Sequence, residues 1–144
     1  MRFEFDIAPV EQARPRATRM GKGIRLYDPK KVTVFKQQLG MLARKQMLDR
    51  GLDPFDGPLE VCMEFYRPVQ TSLSGKERAR RLSGVHRPTV KPDLDNYIKS
   101  TSDALNGIIW ADDNLIISLE AKKFYAERPH LTVEIRRQTC SYMG

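Results

Sequence analysis

The stretch from Lys91 to Leu119 constrains the fold more than any other part of the chain. Pro92 disfavours helix at Lys91, so the chain arrives extended. From Leu94 onward Leu94, Ile98, Thr101 (in part) and Leu105 recur at helical spacing. Asp93 or Asp95 can cap the first turn, where unpaired backbone N–H groups favour negative charge. Asn106-Gly107 supplies the stop. Ile108-Ile109-Trp110 follows, then Ala111-Asp112-Asp113-Asn114 as a turn, and the apolar run Leu115 to Leu119 reads as a strand. A capped helix leading so directly into a strand calls for a helical layer on a sheet.

The same stretch gathers carboxylates in a chain of formal net charge +7 over 144 residues. On the helix Asp95, Lys99 and Asp103 are four apart and share a flank, and Asp93 can turn toward the same place. If the following strand packs beside the helix, Asp112 or Asp113 closes on Asp93 and Asp95. Carboxylate oxygens at this density suit Mg²⁺ or Mn²⁺, hard cations that keep several waters. There is no His/Cys cluster to suggest zinc. Acids set in a basic chain point to a metal site that works on a polyanion. The bland alternatives are an i,i+4 ion pair for Lys99, turn chemistry for Asp112, and core packing for Trp110; Asp103 reads as structural.

The length suits one domain, residues 1–144, with a single core. No apolar run approaches the length of a membrane span, and Met1 leads straight into an alternating pattern rather than a signal peptide. Cys62 and Cys140 form no disulfide framework or ligand pair, so the expectation is a reduced, cytoplasmic protein. The positive balance favours anionic partners, nucleic acid first.

From the amino terminus, Phe3, Phe5 and Ile7 alternate as in a half-buried strand. A basic, turn-rich segment follows, with Arg14, Arg16, Arg19, Lys22, Arg25, Lys30 and Lys31; beside the acidic motif it reads as a phosphate-contacting loop rather than a merely solvated one. Asp28-Pro29 opens a helix, with Asp28 as its cap and Pro29 in the first turn, and Val32, Phe35, Leu39, Leu42, Ala43 and Met47 on one face, ended by Gly51. Leu59, Val61, Met63 and Phe65 alternate as a second strand; Glu60 and Glu64 on its other face are outside candidates for an extra ligand, against their ordinary place on a polar face. From about 68 to 90 the chain lacks apolar periodicity and carries Lys76, Arg78, Arg80, Arg81 and Arg87, with Lys91 just beyond; it reads as a flexible basic segment that contacts DNA phosphates. The final third reads as a hairpin, Leu115 to Phe124 turning through residues 126–130 into Leu131, Val133 and Ile135. The sum is an α/β (α+β) chain: a two-layer sandwich of a small mixed four-stranded sheet with two helices.

Asp93-Leu94-Asp95-Asn96, Lys99, Asp103-Ala104-Leu105 and Trp110-Ala111-Asp112-Asp113 together resemble the signature of the RusA family of Holliday-junction resolvases. The ordered match covers roughly the last third of the chain. One departure is Arg14-Pro15-Arg16, where family members often carry a Ser-Asn pair. The resemblance implies a small homodimeric endonuclease, bacterial or phage-encoded, that nicks four-way DNA junctions with Mg²⁺. It implies Asp93, Asp95 and Asp113 as catalytic, metal-holding carboxylates and Lys99 as the catalytic lysine; Asp112, beside them, is placed to orient a ligand or to serve the turn alone. The rival readings are a non-catalytic basic nucleic-acid-binding module with a structural carboxylate cluster, and a metal enzyme for nucleotides; the latter lacks a phosphate-binding glycine loop.

Overall fold

The computed structural model describes residues 1–13, 16–21, 23–70 and 72–138. Six strands and three α-helices follow in the order β1 (Arg2–Phe5), β2 (Arg16–Met20), β3 (Gly23–Tyr27), α1 (Lys30–Asp49), β4 (Leu59–Pro68), α2 (Gly75–Leu82), α3 (Leu94–Leu105), β5 (Ile116–Ala126) and β6 (His130–Arg137). A four-stranded mixed sheet runs β1-β6-β4-β5, and β2-β3 forms a separate two-stranded ribbon. In the sheet only β4 and β5 are parallel; β1-β6 and β4-β6 are antiparallel.

Alternation explains the layers. Leu59, Val61, Met63 and Phe65 of β4 are buried with Phe3 and Phe5 of β1 and Leu131, Val133 and Ile135 of β6. They meet Phe35, Leu39, Ala43 and Met47 of α1 and Tyr97, Ala104 and Leu105 of α3 in one core. Burying a side chain of this size contributes about 1.5–3 kcal/mol, so this shared face dominates the stability. Tyr66 lies on the other face of the sheet, where its ring stacks on Phe124 and Arg87 covers the Phe124 ring in turn. There Glu64 accepts hydrogen bonds from Thr132 and Tyr66, at 3.2 and 3.3 Å, which gives that glutamate a structural place on the face opposite α3.

Four expectations need correction. The last two strands are not a hairpin: β4 lies between β5 and β6 and pairs with both. The connection 127–129 passes the end of β4, and no local sequence signal reports an interposed strand. Asp28 does not cap α1, whose cap is Pro29. Its carboxylate instead takes hydrogen bonds from Lys36 at 2.8 Å and Gln12 at 3.0 Å. The segment expected as a basic loop after residue 14 is the β2-β3 ribbon, with Gly21 at φ 59° in its turn. Within 68–90 lies α2, capped by Ser74, whose hydroxyl accepts from the Glu77 N–H at 3.2 Å. Ser74 and Glu77 stand at capping-box spacing, a signal present in the sequence that apolar periodicity does not detect. Arg14, Lys22 and Cys140 lie outside the described residues.

Among the described residues no helix is long and apolar enough to cross a membrane.

Candidate active site

Helix α3 organises the site, and its rotation differs from expectation. The buried stripe is Tyr97, Ser100, Thr101, Ala104 and Leu105, while Leu94 and Ile98 are only half-buried. Two contacts set this rotation. The Tyr97 ring stacks on Phe65 of β4 with centroids 5.1 Å apart. The Ser100 hydroxyl donates to the Val10 carbonyl at 2.5 Å, where the segment after β1 crosses the helix. Asp93, Asp95 and Lys99 are consequently left facing solvent.

Asp93 is the cap residue of α3, its side chain free of any cap hydrogen bond, and Asp95 lies in the first turn. The positive end of the helix favours charge at both positions. Lys99 Nζ stands 3.8 Å from Asp95 Oδ2, with both side chains about two-thirds exposed. A pair so exposed contributes only a few tenths of a kcal/mol, so solvent competes easily for either partner.

Asp113 is held quite differently. The Trp110 indole N–H donates to its Oδ1 at 2.6 Å, and its backbone N–H donates to Asn106 Oδ1 at 3.0 Å. Trp110 itself is fully buried. Its loop is fastened by main-chain hydrogen bonds from Phe55 to the Ile109 carbonyl, 2.7 Å, and from Ala111 to the Phe55 carbonyl, 2.9 Å. Partial burial pushes the Asp113 carboxyl above its ordinary pKa; the indole hydrogen bond opposes this, and the charges of Asp103 and Asp112 reinforce it. Asp112 caps the short 3-10 turn Asp113–Leu115, its Oδ1 accepting from the Asn114 N–H at 2.9 Å. Trp110 was expected only as core, and the indole bond to Asp113 was not foreseen from the sequence.

Asp103 has a structural contact. Lys36 bridges it and Asp28 at 2.6 and 2.8 Å, tying α1 to α3 and to the foot of the β-ribbon. Burial disfavours the Lys36 ammonium, but the two carboxylates outweigh that and hold its pKa above the ordinary value.

The two acidic segments therefore do not meet within one chain. Asp93 and Asp95 sit at the start of α3, whereas Asp113 is bonded to Asn106 at its end. Eleven residues of helix from Asp95 to Asn106 separate them by about 16 Å. Among the described residues no three His, Cys, Asp or Glu side chains gather closely enough to hold a metal ion. The expectation that Asp112 or Asp113 closes on Asp93 and Asp95 fails for the single chain, because the strand after the turn joins the sheet at the far end of α3.

The basic residues divide into engaged and free. Arg81 lies over the Tyr125 ring at 4.7 Å and bonds Glu77 at 3.0 Å. Arg87 lies over Phe124 at 4.4 Å and donates to the Lys123 carbonyl at 3.0 Å. Arg78 and Arg80 stand 3.6 and 3.7 Å from Glu127 and Glu77. The hydrogen bond between His86 and Glu77 helps keep the Glu77 carboxyl below its usual range, with Arg81 adding to it. Lys76, Lys91 and Arg19 are exposed and make no ion pair among the described residues. Arg16 opens β2.

Comparison with known proteins gives this basic α+β domain, with aspartates and a lysine on one exposed helix end, its class: it is an endodeoxyribonuclease. A family model described as Endodeoxyribonuclease RusA matches residues 6–136, and the chain belongs to that family. It is similar to the uncharacterized protein YqaN of Bacillus subtilis (strain 168), with 38% identity over 130 residues and 89% of each chain covered. It is also similar to the crossover junction endodeoxyribonuclease rusA of Lactococcus phage r1t, with 26% identity over 136 residues, 92% of this chain and 93% of that one.

Proposed function

We propose that this endodeoxyribonuclease cuts four-way DNA junctions with Mg²⁺ or Mn²⁺, and that its metal site is assembled from two copies of the chain. The separation of Asp93 and Asp95 from Asp113 along α3 carries this reading. Every donor is a carboxylate oxygen, a set that suits a hard divalent cation, yet each end of one helix offers too few. A C2 dimer that places the start of one α3 against the Asp113 turn of the other completes the set twice. Apolar surface supports a contact there: on β5, just after that turn, Ile117 and Leu119 are 54% and 41% exposed. Leu119 pairs with Val61 and so shares the core face of the sheet, yet is left open to solvent there.

In this assembly Asp93, Asp95 and the partner copy's equivalent of Asp113 hold the cation. Bound there, it would lower the pKa of a coordinated water and neutralise charge on the non-bridging phosphate oxygens. Lys99, tied only loosely to Asp95, turns to the scissile phosphate and stabilises the developing negative charge. Trp110 fixes one oxygen of Asp113 and leaves the other to the metal, while Asp112 keeps the turn in place. Lys76, Lys91 and Arg19, with Arg14 and Arg16, supply phosphate contacts. Arg78, Arg80, Arg81 and Arg87 join them where DNA displaces their present partners. Two sites related by a two-fold match the two opposed nicks that resolution of a four-way junction requires. Recombination and repair are the processes such an activity serves.

The test offers a four-way junction, a linear duplex and single-stranded DNA with and without Mg²⁺. Paired nicks confined to the junction and dependent on the metal support the proposal; DNA binding with no metal-dependent nick would leave only a binding module.

A further inference from the structure

The β2-β3 ribbon makes no extended packing with the rest of the chain among the described residues. Register pairs Ala17 with Leu26 and Arg19 with Ile24, so these four side chains share one face. Apart from Arg19 that face is apolar, and it is open: Ile24 is 73% exposed and Leu26 67%. A two-stranded ribbon alone is at best marginally stable in water, so this one is shaped for something that covers it. Its charge indicates what. Residues 16–27 include Arg16, Arg19, Lys22 and Arg25 and no acid. A cationic ribbon with an apolar face complements nucleic acid, whose phosphates take the charges and whose bases take the aliphatic groups.

The feet of the ribbon give a second, independent observation. Gln12, ahead of β2, donates its backbone N–H to the Asn96 carbonyl at 2.9 Å, one residue from Asp95. Its side chain bonds Asp28, the residue after β3, at 3.0 Å, and Asp28 is held in turn by Lys36. The entry to the ribbon is thus fastened beside the first turn of the helix that carries Asp93, Asp95 and Lys99, and its exit is tied to that entry by Gln12 and, through Lys36, to Asp103 further along the same helix. Strands of five residues extend about 17 Å from that base.

We infer that the ribbon is a wedge for branched DNA: Ile24 and Leu26 enter the open centre of the junction between unstacked bases while the ribbon's cations hold the flanking phosphates. Proteins that kink or open DNA insert aliphatic side chains between base steps in this manner, and a two-stranded ribbon is narrow enough for the major groove. The inference rests on the junction reading above and adds the residues that would recognise the branch. Anchored where it is, the wedge would set which phosphate lies before the carboxylates.

The test is the full-length double variant Ile24→Ser/Leu26→Ser, whose altered side chains are exposed, compared with the unaltered protein. The probe is a four-way junction carrying 2-aminopurine at the crossover, with Ca²⁺ replacing Mg²⁺. The unaltered protein is expected to raise the probe's emission as the base unstacks. The variant should lose that rise and bind the junction about tenfold more weakly, with affinity for linear duplex and circular dichroism unchanged. A variant that raises the emission and binds the junction like the parent overturns the wedge while leaving the nuclease reading intact. A variant that becomes monomeric by light scattering also overturns it, because a second copy would then be what covers the face. If the unaltered protein neither binds nor cuts junctions, the function beneath the wedge has failed, and the wedge with it.

Discussion

The two ends of α3 carry carboxylates of the same chemistry under opposite regimes. At the first turn, Asp93 and Asp95 are exposed, and the nearest cation to Asp95 is 3.8 Å away and itself exposed. At the last, Asp113 is half-buried, held by a buried indole and a C-cap asparagine, and fastened through Phe55 to the rest of the fold. One end is pre-organised by the chain, while the other is organised by whatever arrives. Among the described residues neither end gathers a metal site alone, and the proposal that two copies complete it rests on that difference.

Changes at the pre-organised end should show most. Asp113→Asn keeps the Asn106 contact and the turn, so folding and DNA binding should persist while metal-dependent cleavage falls by at least about a thousandfold. Single-turnover nicking, with a binding isotherm on the same preparation, checks both halves. Trp110→Phe comes next. Removing the indole donor takes away what opposes the upward push on Asp113, so its pKa rises further and the acid limb of the cleavage profile moves to higher pH. The lost buried hydrogen bond should cost about 1–2 kcal/mol in urea unfolding. An unmoved acid limb would mean that the indole does not tune this carboxylate.

The link between Lys36, Asp28 and Asp103 sets a smaller effect with a definite sign. The hydrogen bond from Lys36 holds the Asp28 carboxyl below its ordinary value, against burial. Its stabilisation is therefore present above the unfolded pKa and lost as pH falls through the lower folded value. Lys36 is raised, so its share is complete below its unfolded pKa and lost as pH climbs through the raised one. Lys36→Met should cost about 1 kcal/mol near neutrality and flatten both limbs in urea melts taken across pH. Smallest of all is the stability effect of Asp95→Asn, within about 0.5 kcal/mol, because its partner is an exposed i,i+4 lysine. A loss well above that would reveal a structural role for Asp95 that its exposure contradicts.

The helical and central-strand patterns were legible because they are local. Val32 to Met47 and Leu59 to Phe65 declare their buried faces through period alone, and the resemblance carried by Asp93, Asp95, Lys99 and Trp110 to Asp113 led to the right family. What escaped was long-range or obscured by charge. Nothing between Leu115 and Leu131 reports that β4 will lie between the two last strands. Ser74 and Glu77 cap α2 inside a run read only for its arginines, and the alternation of Ile24 and Leu26 was overshadowed by the basic residues around it. The division of the carboxylates follows from the length of α3, a quantity the sequence does contain: a helix from Leu94 to Leu105 cannot bring its two ends together.

The central claim is that one metal site draws on both copies of the chain, and mixing two inactive variants tests it directly. A dimer of one Asp95→Asn chain and one Asp113→Asn chain holds both defects in one composite site and leaves the other intact. The account predicts that each variant alone is inert and that the exchanged mixture nicks one strand of a four-way junction. A mixture that forms mixed dimers yet stays inert would place all the carboxylates of each site in a single chain and contradict it.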